Sequence, residues 1–501
     1  MRPILAGIET EYGLHIETRG PEDQIEDAAA LVRDYPGERF VGWDYRFESP
    51  RSDLRGFRVD RLAVDPRDAR YDAGRTYPSD AELRADRVLP NGARIYSDHG
   101  HPEYASPECW SLEELALQDQ AGEIAVARAG RAYAERTGLS VRLYKNNCDY
   151  HGASYGTHES YLVPRALGFE RLFSAVTPIL IARQVLCGAG KVGSDHDRAC
   201  AFQLSQRADF LADAANVETL YRRPVFNTRD EPHADPRDWI RLHVVCGDAN
   251  MISSATKRKA GLVKLALWLE DAGESPKWAL ADPVRAFRGV SRDDSFRFEI
   301  GLQGRSWTTA REVLESYFSA AEKVLGVRPG VPQDGPAGEA GSLIAECREL
   351  LDDLENCPER FRRRVDWAAK KAMLEQFLVA EGADWRDPRL RAFDLEYHNL
   401  SHSDGLYFAL HEMGEVEPRP DAHEIEKRLE SAFEPTRAYA RGVAVRKFAD
   451  RLRSVSWSAL SLEDEHGRVW DLDLPPECAY SEALAAAPDV QSYSELLRGE
   501  P

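Results

Sequence analysis

Polar side chains that could form a metal site or an acid–base pair recur along residues 91–109. After an Asn-Gly turn signal, strand alternation puts Arg94, Tyr96 and Asp98 on one face. A second extended piece presents Glu103 in the same way. One surface thus collects a guanidinium, a phenol and two carboxylates, which could bind a cation or transfer a proton. Taken alone, the stretch fits a half-buried strand with a solvated polar face equally well.

The first strand-like segment of the chain, residues 4–13, also carries two carboxylates on one face. Glu9 and Glu11 alternate with Ile8 and Thr10, which face the other way. Two like charges about 4 Å apart repel each other by roughly 4 kcal/mol at an effective dielectric constant near 20. Unless both side chains reach water, as on a solvated edge strand, such a pair needs a cation. Carboxylate oxygens favour a hard ion such as Mg²⁺.

Two later strands offer groups of the same kind. One places Glu159 and Tyr161 on a common face, and the other places Arg241 and His243 together. A single histidine on a strand is more often a structural residue. Here it stands beside an arginine and follows the polar loop 227–235, which fits a metal ligand next to a phosphate clamp. A sheet that curls into a cradle would gather all four strands around one site.

Two motifs near these strands match known signatures but lack the required context. Residues 152–156 read Gly-Ala-Ser-Tyr-Gly, the G-x-S-x-G of serine hydrolases, which needs a helix directly after it. The alternation from residue 157 predicts a strand instead. Residues 188–193 match G-x-G-x-x-G, but a charged turn follows where a dinucleotide site requires a helix. We therefore expect neither a Ser154 nucleophile nor a dinucleotide fold.

Composition argues against several classes of protein. The 501 residues carry a formal net charge of −20, which argues against general nucleic-acid binding. The eight cysteines form no C-x-x-C pair, so we expect reduced thiols and no zinc site of the usual spacing. No apolar run is long enough to span a membrane, and the start of the chain lacks the basic residues of a signal peptide. These features predict a cytoplasmic protein.

The sequence predicts two domains of unequal size, residues 1–423 and residues 424–501. The stretch 44–87 is rich in Arg and Asp with few apolar anchors, and we expect a mobile loop near the site there. In the smaller domain the patterns predict a basic helix over 436–448 and a strand pair within 457–472.

Eight segments, in order along the chain, carry a family resemblance. They are Gly7-Ile-Glu-Thr-Glu-Tyr-Gly13, Asn91-Gly-Ala-Arg-Ile-Tyr96, His101-Pro-Glu-Tyr104, Lys145-Asn-Asn147, Ser154-Tyr-Gly-Thr-His-Glu159, Gln203-Leu-Ser-Gln-Arg207, Asn227-Thr-Arg-Asp-Glu-Pro-His-Ala-Asp235 and Arg241-Leu-His-Val244. Together they resemble the Pup ligase / deamidase-of-Pup family, whose members act on the prokaryotic ubiquitin-like protein Pup. The resemblance implies an α+β fold like that of glutamine synthetase: a curved, mainly antiparallel β-sheet cradle backed by helices, plus a small C-terminal domain.

The family has two branches, and the chain resembles the hydrolytic one. The ligase branch joins the C-terminal glutamate of Pup to a substrate lysine and consumes ATP. The deamidase branch converts a C-terminal glutamine of Pup to glutamate and cleaves the isopeptide bond between Pup and substrate lysines. The insertion that opens at residues 43–50 and the spacing Asp98-His-Gly-His-Pro-Glu103 resemble the deamidase branch. Arg51-Ser-Asp53 and Arg441-Gly-Val443 depart from the commoner family pattern. The alternatives are a Pup ligase with an unusual insertion and a non-catalytic Pup-binding protein.

By this resemblance, Asp98 is the catalytic carboxylate. The implied magnesium ligands are Glu9, Tyr96, Glu103, Glu159 and His243, with Glu11 as an addition. The implied nucleotide contacts are Arg94, Ser106, Arg241 and Trp457, with Arg229 in the phosphate region. ATP, or ADP plus phosphate, would act with Mg²⁺ as a cofactor that is not spent at each turnover. The implied partners are Pup and pupylated proteins, bound by a cytoplasmic monomer without nucleic acid or membrane.

Overall fold

The computed structural model describes residues 1–63, 84–195, 200–478 and 480–499. Of the loop predicted over 44–87, residues 64–83 lie outside the described residues. Among the helices in the described ranges, none is both long and apolar enough to cross a membrane.

Strands and helices follow one another irregularly along the chain, as in an α+β protein. The strands are β1 Ala6–Glu11, β2 Gly13–Ile16, β3 Arg87–Val88, β4 Arg94–Asp98, β5 His101–Ala105, β6 Val141–Tyr144, β7 Thr157–Pro164, β8 Lys191–Val192, β9 Phe202–Gln203, β10 Leu211–Asn216, β11 Arg223–Asn227, β12 Trp239–Gly247, β13 Glu299–Gly301, β14 Trp307–Thr309, β15 Leu452–Val455, β16 Ala459–Glu463 and β17 Val469–Asp473. The α-helices are α1 Gln24–Arg33, α2 Leu112–Thr137, α3 Gly168–Ala182, α4 Gln184–Cys187, α5 Ser253–Asp271, α6 Pro283–Ser291, α7 Ala310–Val324, α8 Gly335–Asn356, α9 Pro358–Arg362, α10 Asp366–Glu381, α11 Arg389–Tyr397, α12 Leu406–Glu412, α13 Ala422–Glu430, α14 Arg437–Phe448, α15 Ala483–Ala486 and α16 Val490–Arg498.

A six-stranded sheet in the order β12-β7-β1-β5-β4-β3 forms the centre of the fold. Every neighbouring pair in it is antiparallel. Successive side chains alternate between its two faces. One face contributes Ile8, Val163 and Leu242 to an apolar core that also contains residues of α3 and α5. The predicted fold, an antiparallel sheet backed by helices, is confirmed, and most of the predicted polar site residues of these strands lie on the opposite face.

The C-terminal part has an apolar core of its own. Helix α14 and strands β16 and β17 contribute Val443, Leu462 and Trp470, and Trp43 from the N-terminal region joins them. The predicted basic helix and strand pair are therefore present. Ile425 of α13 belongs instead to the core that contains α1 and α2. The separate C-terminal core thus begins after α13.

The turn that precedes β4 lies against α14 with no room for a side chain. Gly92 has φ +79°, and a Cβ there would lie 2.3 Å from the carbonyl oxygen of Ala438. Gly92→Ala should therefore add a packing clash of about 1–3 kcal/mol to the left-handed backbone penalty of about 1–2 kcal/mol. Gly273→Ala is the matched control, because Gly273 has φ +76° and no neighbour within 4 Å of the added Cβ. Equal losses of melting temperature in the two variants, measured by calorimetry, would contradict this prediction.

Candidate active site

The register of the central sheet brings the predicted polar residues onto one face. Glu9 of β1 pairs with Ala105 of β5 on one side and with His158 of β7 on the other. Glu11 pairs with Glu103, which in turn pairs with Tyr96 of β4. Directly paired residues on neighbouring antiparallel strands point to the same face. The sequence prediction of a shared polar face on β1, β4 and β5 is therefore confirmed.

The first group on this face is Glu9, His158 and His243, whose ligand atoms lie within 4.8 Å of one another. Both imidazoles come within 3.7 Å of Glu9 Oε2, and Arg241 approaches Oε1 at 3.4 Å. Burial alone would raise the pKa of Glu9, but its contacts with the two histidines and Arg241 hold that pKa well below its usual value. The group therefore presents an ionised carboxylate between two ring nitrogens.

His243 has the properties of a metal ligand. Both of its ring nitrogens are buried without a hydrogen-bond partner among the described residues. Burial and the neighbouring Arg241 lower the pKa of His243 well below its usual value. A neutral imidazole with buried, unpaired nitrogens is costly unless a ligand completes it, and neutral imidazole is the form that binds metals. The residues present thus fit a bound divalent cation.

The second group consists of Glu11, Asp98 and Glu103, again within 4.8 Å. The Tyr96 hydroxyl donates to Glu103 at 2.7 Å. Burial, followed by the negative charges of Asp98 and Glu11, raises the pKa of Glu103 well above its usual value. Crowded carboxylates of this kind either take up a proton or share a hard cation. The oxygen-only donor set of this group fits Mg²⁺.

Asp98 occupies the end of β4, at a hairpin that exposes it. The two loop residues, His99 at φ +47° and Gly100 at φ +86°, have the positive φ angles of a type I′ turn. The Asp98 side chain keeps 23% of its surface exposed and lies 3.5 Å from Arg84. Burial opposes ionisation, but His99 and Arg84 lower the pKa of Asp98 below its usual value. Asp98 is thus a partly accessible, ionised carboxylate within the second group of ligands.

Glu159 does not lie on this face, and here the sequence expectation needs a correction. Its partners across the sheet are Ile8 and Val244, so its side chain points into the apolar core. There it forms two hydrogen bonds with Arg183, at 2.6 and 2.8 Å. The residue that β7 presents to the site is His158. The signal was in the sequence, since Glu159 alternates in phase with Tyr161 and Val163, which are both buried.

Three of the five predicted nucleotide contacts line one pocket beside the first group of ligands. Ser106, Arg241 and Trp457 contribute to it, together with Glu108 and His233, which sequence reasoning did not identify. Trp457 comes from the C-terminal part, so the pocket lies where the two parts of the chain meet. A cationic side chain and an aromatic ring that line the same pocket are suited to a phosphate and a base.

The other two predicted contacts are held elsewhere. Arg94 pairs with Asp86, and its guanidinium lies 4.2 Å from the ring centre of Trp43 and 4.0 Å from that of Tyr96. Arg229 donates to Thr219 at 3.1 Å, and its buried Nε has no hydrogen-bond partner among the described residues. Neither residue lines the pocket around Trp457. Arg94 of β4 instead reaches that pocket indirectly, through Trp43. The ring centre of Trp43 lies 5.0 Å from that of Trp457.

The structure agrees with the rejection of both sequence decoys. The strand β7 follows the G-x-S-x-G segment directly, and no helix follows the segment 188–193 before β9 in the described residues. Ser154 Oγ donates to the carbonyl of Asn147 and accepts from Arg207. Ser154 is therefore a structural residue.

Ser154→Ala should leave enzymatic activity within about twofold of wild type, because the Ser154 hydroxyl only bridges the carbonyl of Asn147 and the guanidinium of Arg207. The loss of the two hydrogen bonds should cost about 1–3 kcal/mol of stability. Steady-state assays at a temperature well below the melting point of the variant check the first expectation. Loss of all activity in a folded variant would contradict this expectation and favour Ser154 as a nucleophile.

Comparison with known proteins identifies close relatives. The family described as Pup-ligase protein matches residues 4–461. The depupylase of Acidothermus cellulolyticus is 37% identical over 462 residues, covering 91% of this chain and 90% of that protein. The Pup deamidase/depupylase of Mycolicibacterium smegmatis is 35% identical over 465 residues, covering 91% of both. The Pup–protein ligase of Actinosynnema mirum is 36% identical over 377 residues, covering 74% of this chain and 82% of the ligase.

Solved structures agree with this relationship. The complex between Pup and its ligase PafA has a TM-score of 0.77 at 27% identity, covering 99% of this chain and 93% of that one. PafA in complex with ADP has a TM-score of 0.70 at 27% identity, covering 89% of this chain and 95% of that one. The resemblance noticed in the sequence motifs is confirmed, and the chain belongs to the Pup-ligase protein family.

Proposed function

We propose that this protein is a Pup deamidase and depupylase. It hydrolyses the side-chain amide of a C-terminal glutamine of Pup to give glutamate, and it hydrolyses the isopeptide bond between Pup and a substrate lysine. In both reactions water adds to the same carbonyl carbon and a carbon–nitrogen bond breaks. The leaving group is ammonia in the first case and the lysine amine in the second.

The observation that carries this proposal is the placement of Asp98. It is the one member of the carboxylate group Glu11, Asp98 and Glu103 that lies at a strand end and remains partly exposed. An ionised, accessible carboxylate can attack an amide carbonyl or take a proton from a water molecule. The relatives supply the substrate, since the proteins named depupylase match 91% of this chain and the ligase of Actinosynnema mirum matches 74%.

The metal and nucleotide assignments are part of the proposal. The first group, Glu9, His158 and His243, and the second group, Glu11 and Glu103 with Tyr96, would hold Mg²⁺. Bound cations would polarise the substrate carbonyl or the nucleotide phosphates. Arg241 and Ser106 would contact those phosphates, and Trp457 would pack against the base. Arg229 would act on this pocket through its charge, and Arg94 would act on it through its contact with Trp43.

The residues around Asp98 determine its ionisation state and its position. Arg84 and His99 keep its carboxylate ionised, and the turn at Gly100 fixes the strand end that carries it. The phenol hydroxyl of Tyr96 donates to Glu103, which lies on the same face of the sheet as Asp98. We place the protein in the cytoplasm as a monomer, in keeping with cysteines that form no disulfide among the described residues.

The competing proposal is a Pup ligase, favoured by the fold similarity to PafA at a TM-score of 0.77. The two functions predict different products. A ligase joins a Glu-ended Pup to a lysine and consumes ATP in doing so, whereas a depupylase releases Pup from the lysine. A conjugate of Pup with a lysine-containing protein, incubated with enzyme, Mg²⁺ and ADP plus phosphate, separates them. Release of free Pup, followed by gel and mass spectrometry and blocked by EDTA, supports hydrolysis. No release, but conjugate formation with ATP and Glu-ended Pup, would establish the ligase.

A further inference from the structure

We infer that Glu108 is a positioning residue that fastens the C-terminal part of the chain against the nucleotide pocket, so that the pocket is complete only when α14 is docked. The inference rests on the proposed nucleotide binding and adds to it a residue and a coupling. Glu108 belongs to neither group of metal ligands, and no motif of the sequence singled it out.

Glu108 joins the loop after β5 to two successive turns of α14. Its Oε1 accepts from Arg437 Nε at 2.6 Å and from Arg441 Nη1 at 3.1 Å, while its Oε2 accepts from Arg441 Nη2. All three side chains are nearly buried, at 12%, 6% and 0% exposure for Glu108, Arg437 and Arg441. The two arginines lie four residues apart, so they share one face of the helix.

Each arginine also forms a hydrogen bond with a residue that lines the pocket. Arg437 donates to the carbonyl of His233 at 2.5 Å. Arg441 donates to the carbonyl of Trp457 at 2.9 Å, and its guanidinium lies 5.0 Å from the centre of the indole ring. His233 and Trp457 both line the pocket, with ring centres 6.4 Å apart. The positions of both rings therefore depend on the same carboxylate.

Two further observations agree with a positioning role. His233 has φ +51°, a strained conformation for a residue other than glycine, which persists only where its surroundings impose it. Arg441 also donates to the carbonyl of Gly92 at 3.0 Å, in the turn that leads into β4 and Asp98. Burial opposes the charge, but the two arginines lower the pKa of Glu108 to about 2, so the carboxylate is ionised at neutral pH.

A pocket built from both parts of the chain makes nucleotide binding and C-terminal docking mutually dependent. Any ligand that contacts Trp457 and Arg241 together favours the docked arrangement, and docking in turn favours the ligand by the same factor. ADP should therefore slow amide hydrogen exchange in β15–β17. Removal of the Glu108 charge should weaken this protection.

Glu108→Gln is the direct test, with ADP and Mg²⁺ as the probe in isothermal titration calorimetry. The Kd for ADP should rise about 10–100-fold, by analogy with the loss of a group that orients a metal ligand. The KM for a Pup substrate at saturating nucleotide should stay within about twofold, which a general loss of structure would not allow. Glu463→Gln is the matched control, because Glu463 forms an exposed pair with Arg453 at the other end of β16.

A second variant covers the case in which Glu108→Gln fails to fold. Arg437→Gln removes the bonds of Arg437 to Glu108 and to His233 but leaves Glu108 paired with Arg441, and it should raise the Kd for ADP about 10-fold. An unchanged Kd in either folded variant would overturn the inference. If the wild-type protein itself binds no ADP, it is the proposed function that fails. Binding by wild type with unchanged binding by either folded variant refutes the positioning role alone.

Discussion

Asp98→Asn should lower the rate of amide hydrolysis by at least about 10³-fold, within the range expected when a group that transfers a proton or attacks a carbonyl is lost. The amide keeps the size of the carboxylate but carries no charge and no basic oxygen of comparable strength. Deamidation of a Gln-ended Pup peptide, followed by mass spectrometry, measures the effect. ADP binding should remain, because Asp98 does not line the pocket around Trp457.

The control for this variant is Asp471→Asn, at an exposed position of β17. It should react at the wild-type rate. Since Asp98 belongs to the crowded carboxylate group, the Asp98→Asn protein should be at least as thermally stable as wild type without metal. A folded Asp98→Asn protein that deamidates at more than about a tenth of the wild-type rate would exclude Asp98 from the chemistry, since a catalytic acid or base contributes at least about 10²-fold.

His158→Ala should raise the Mg²⁺ concentration needed for half-maximal activity by at least about 100-fold, since loss of a partner that only supports a metal ligand already costs 10–100-fold. The ring lies 3.7 Å from Glu9 and next to His243, with ring centres 5.0 Å apart. Its removal takes one donor from the group and leaves the apolar face of the sheet untouched. Melting temperature without Mg²⁺ should change little.

Glu159→Gln, one residue further along β7, should lower the stability of the protein and leave its Mg²⁺ requirement unchanged. The change leaves the buried guanidinium of Arg183 without its carboxylate, which costs about 3–5 kcal/mol of stability. In the fraction that remains folded, the Mg²⁺ dependence of activity should match wild type. A Glu159→Gln protein with normal stability and a large shift in Mg²⁺ requirement would show that the faces of β7 have been assigned the wrong way round.

The contrast between His158 and Glu159 also shows how far sequence reasoning reaches. Strand alternation predicted which residues of β1, β4 and β5 share a face, because a period of two leaves no freedom once the strand is identified. On β7 the alternation was equally clear, but Glu159 was assigned as a metal ligand by family resemblance, and the alternation alone does not say which of the two faces of β7 points to the site. The buried partner of Glu159 is Arg183, which lies between α3 and α4, and no local pattern indicates that contact.

The nucleotide pocket illustrates the same limit on a larger scale. Trp457 and Arg241 were predicted from motif resemblance, but they are separated by more than two hundred residues of sequence and meet only through the docking of α14. Glu108 and its two arginines perform that docking, and the sequence alone indicated no role in the pocket for any of the three. The fold class was implied by the family resemblance of segments spread along the chain, whereas the walls of the pocket depend on side chains brought together by tertiary packing.

The central claim, hydrolysis without expenditure of nucleotide, is tested most directly by counting ATP consumed per product formed in one reaction. Gln-ended Pup, isotope-labelled Glu-ended Pup, Mg²⁺, ATP and a lysine-containing acceptor protein are incubated with the enzyme, and unlabelled Glu-ended Pup, conjugate and ADP are quantified together. We expect many molecules of unlabelled Glu-ended Pup for each ATP lost and no accumulation of conjugate. One ADP formed for each conjugate of the labelled Glu-ended Pup, with the Gln-ended Pup left intact, would contradict the proposal and identify a ligase.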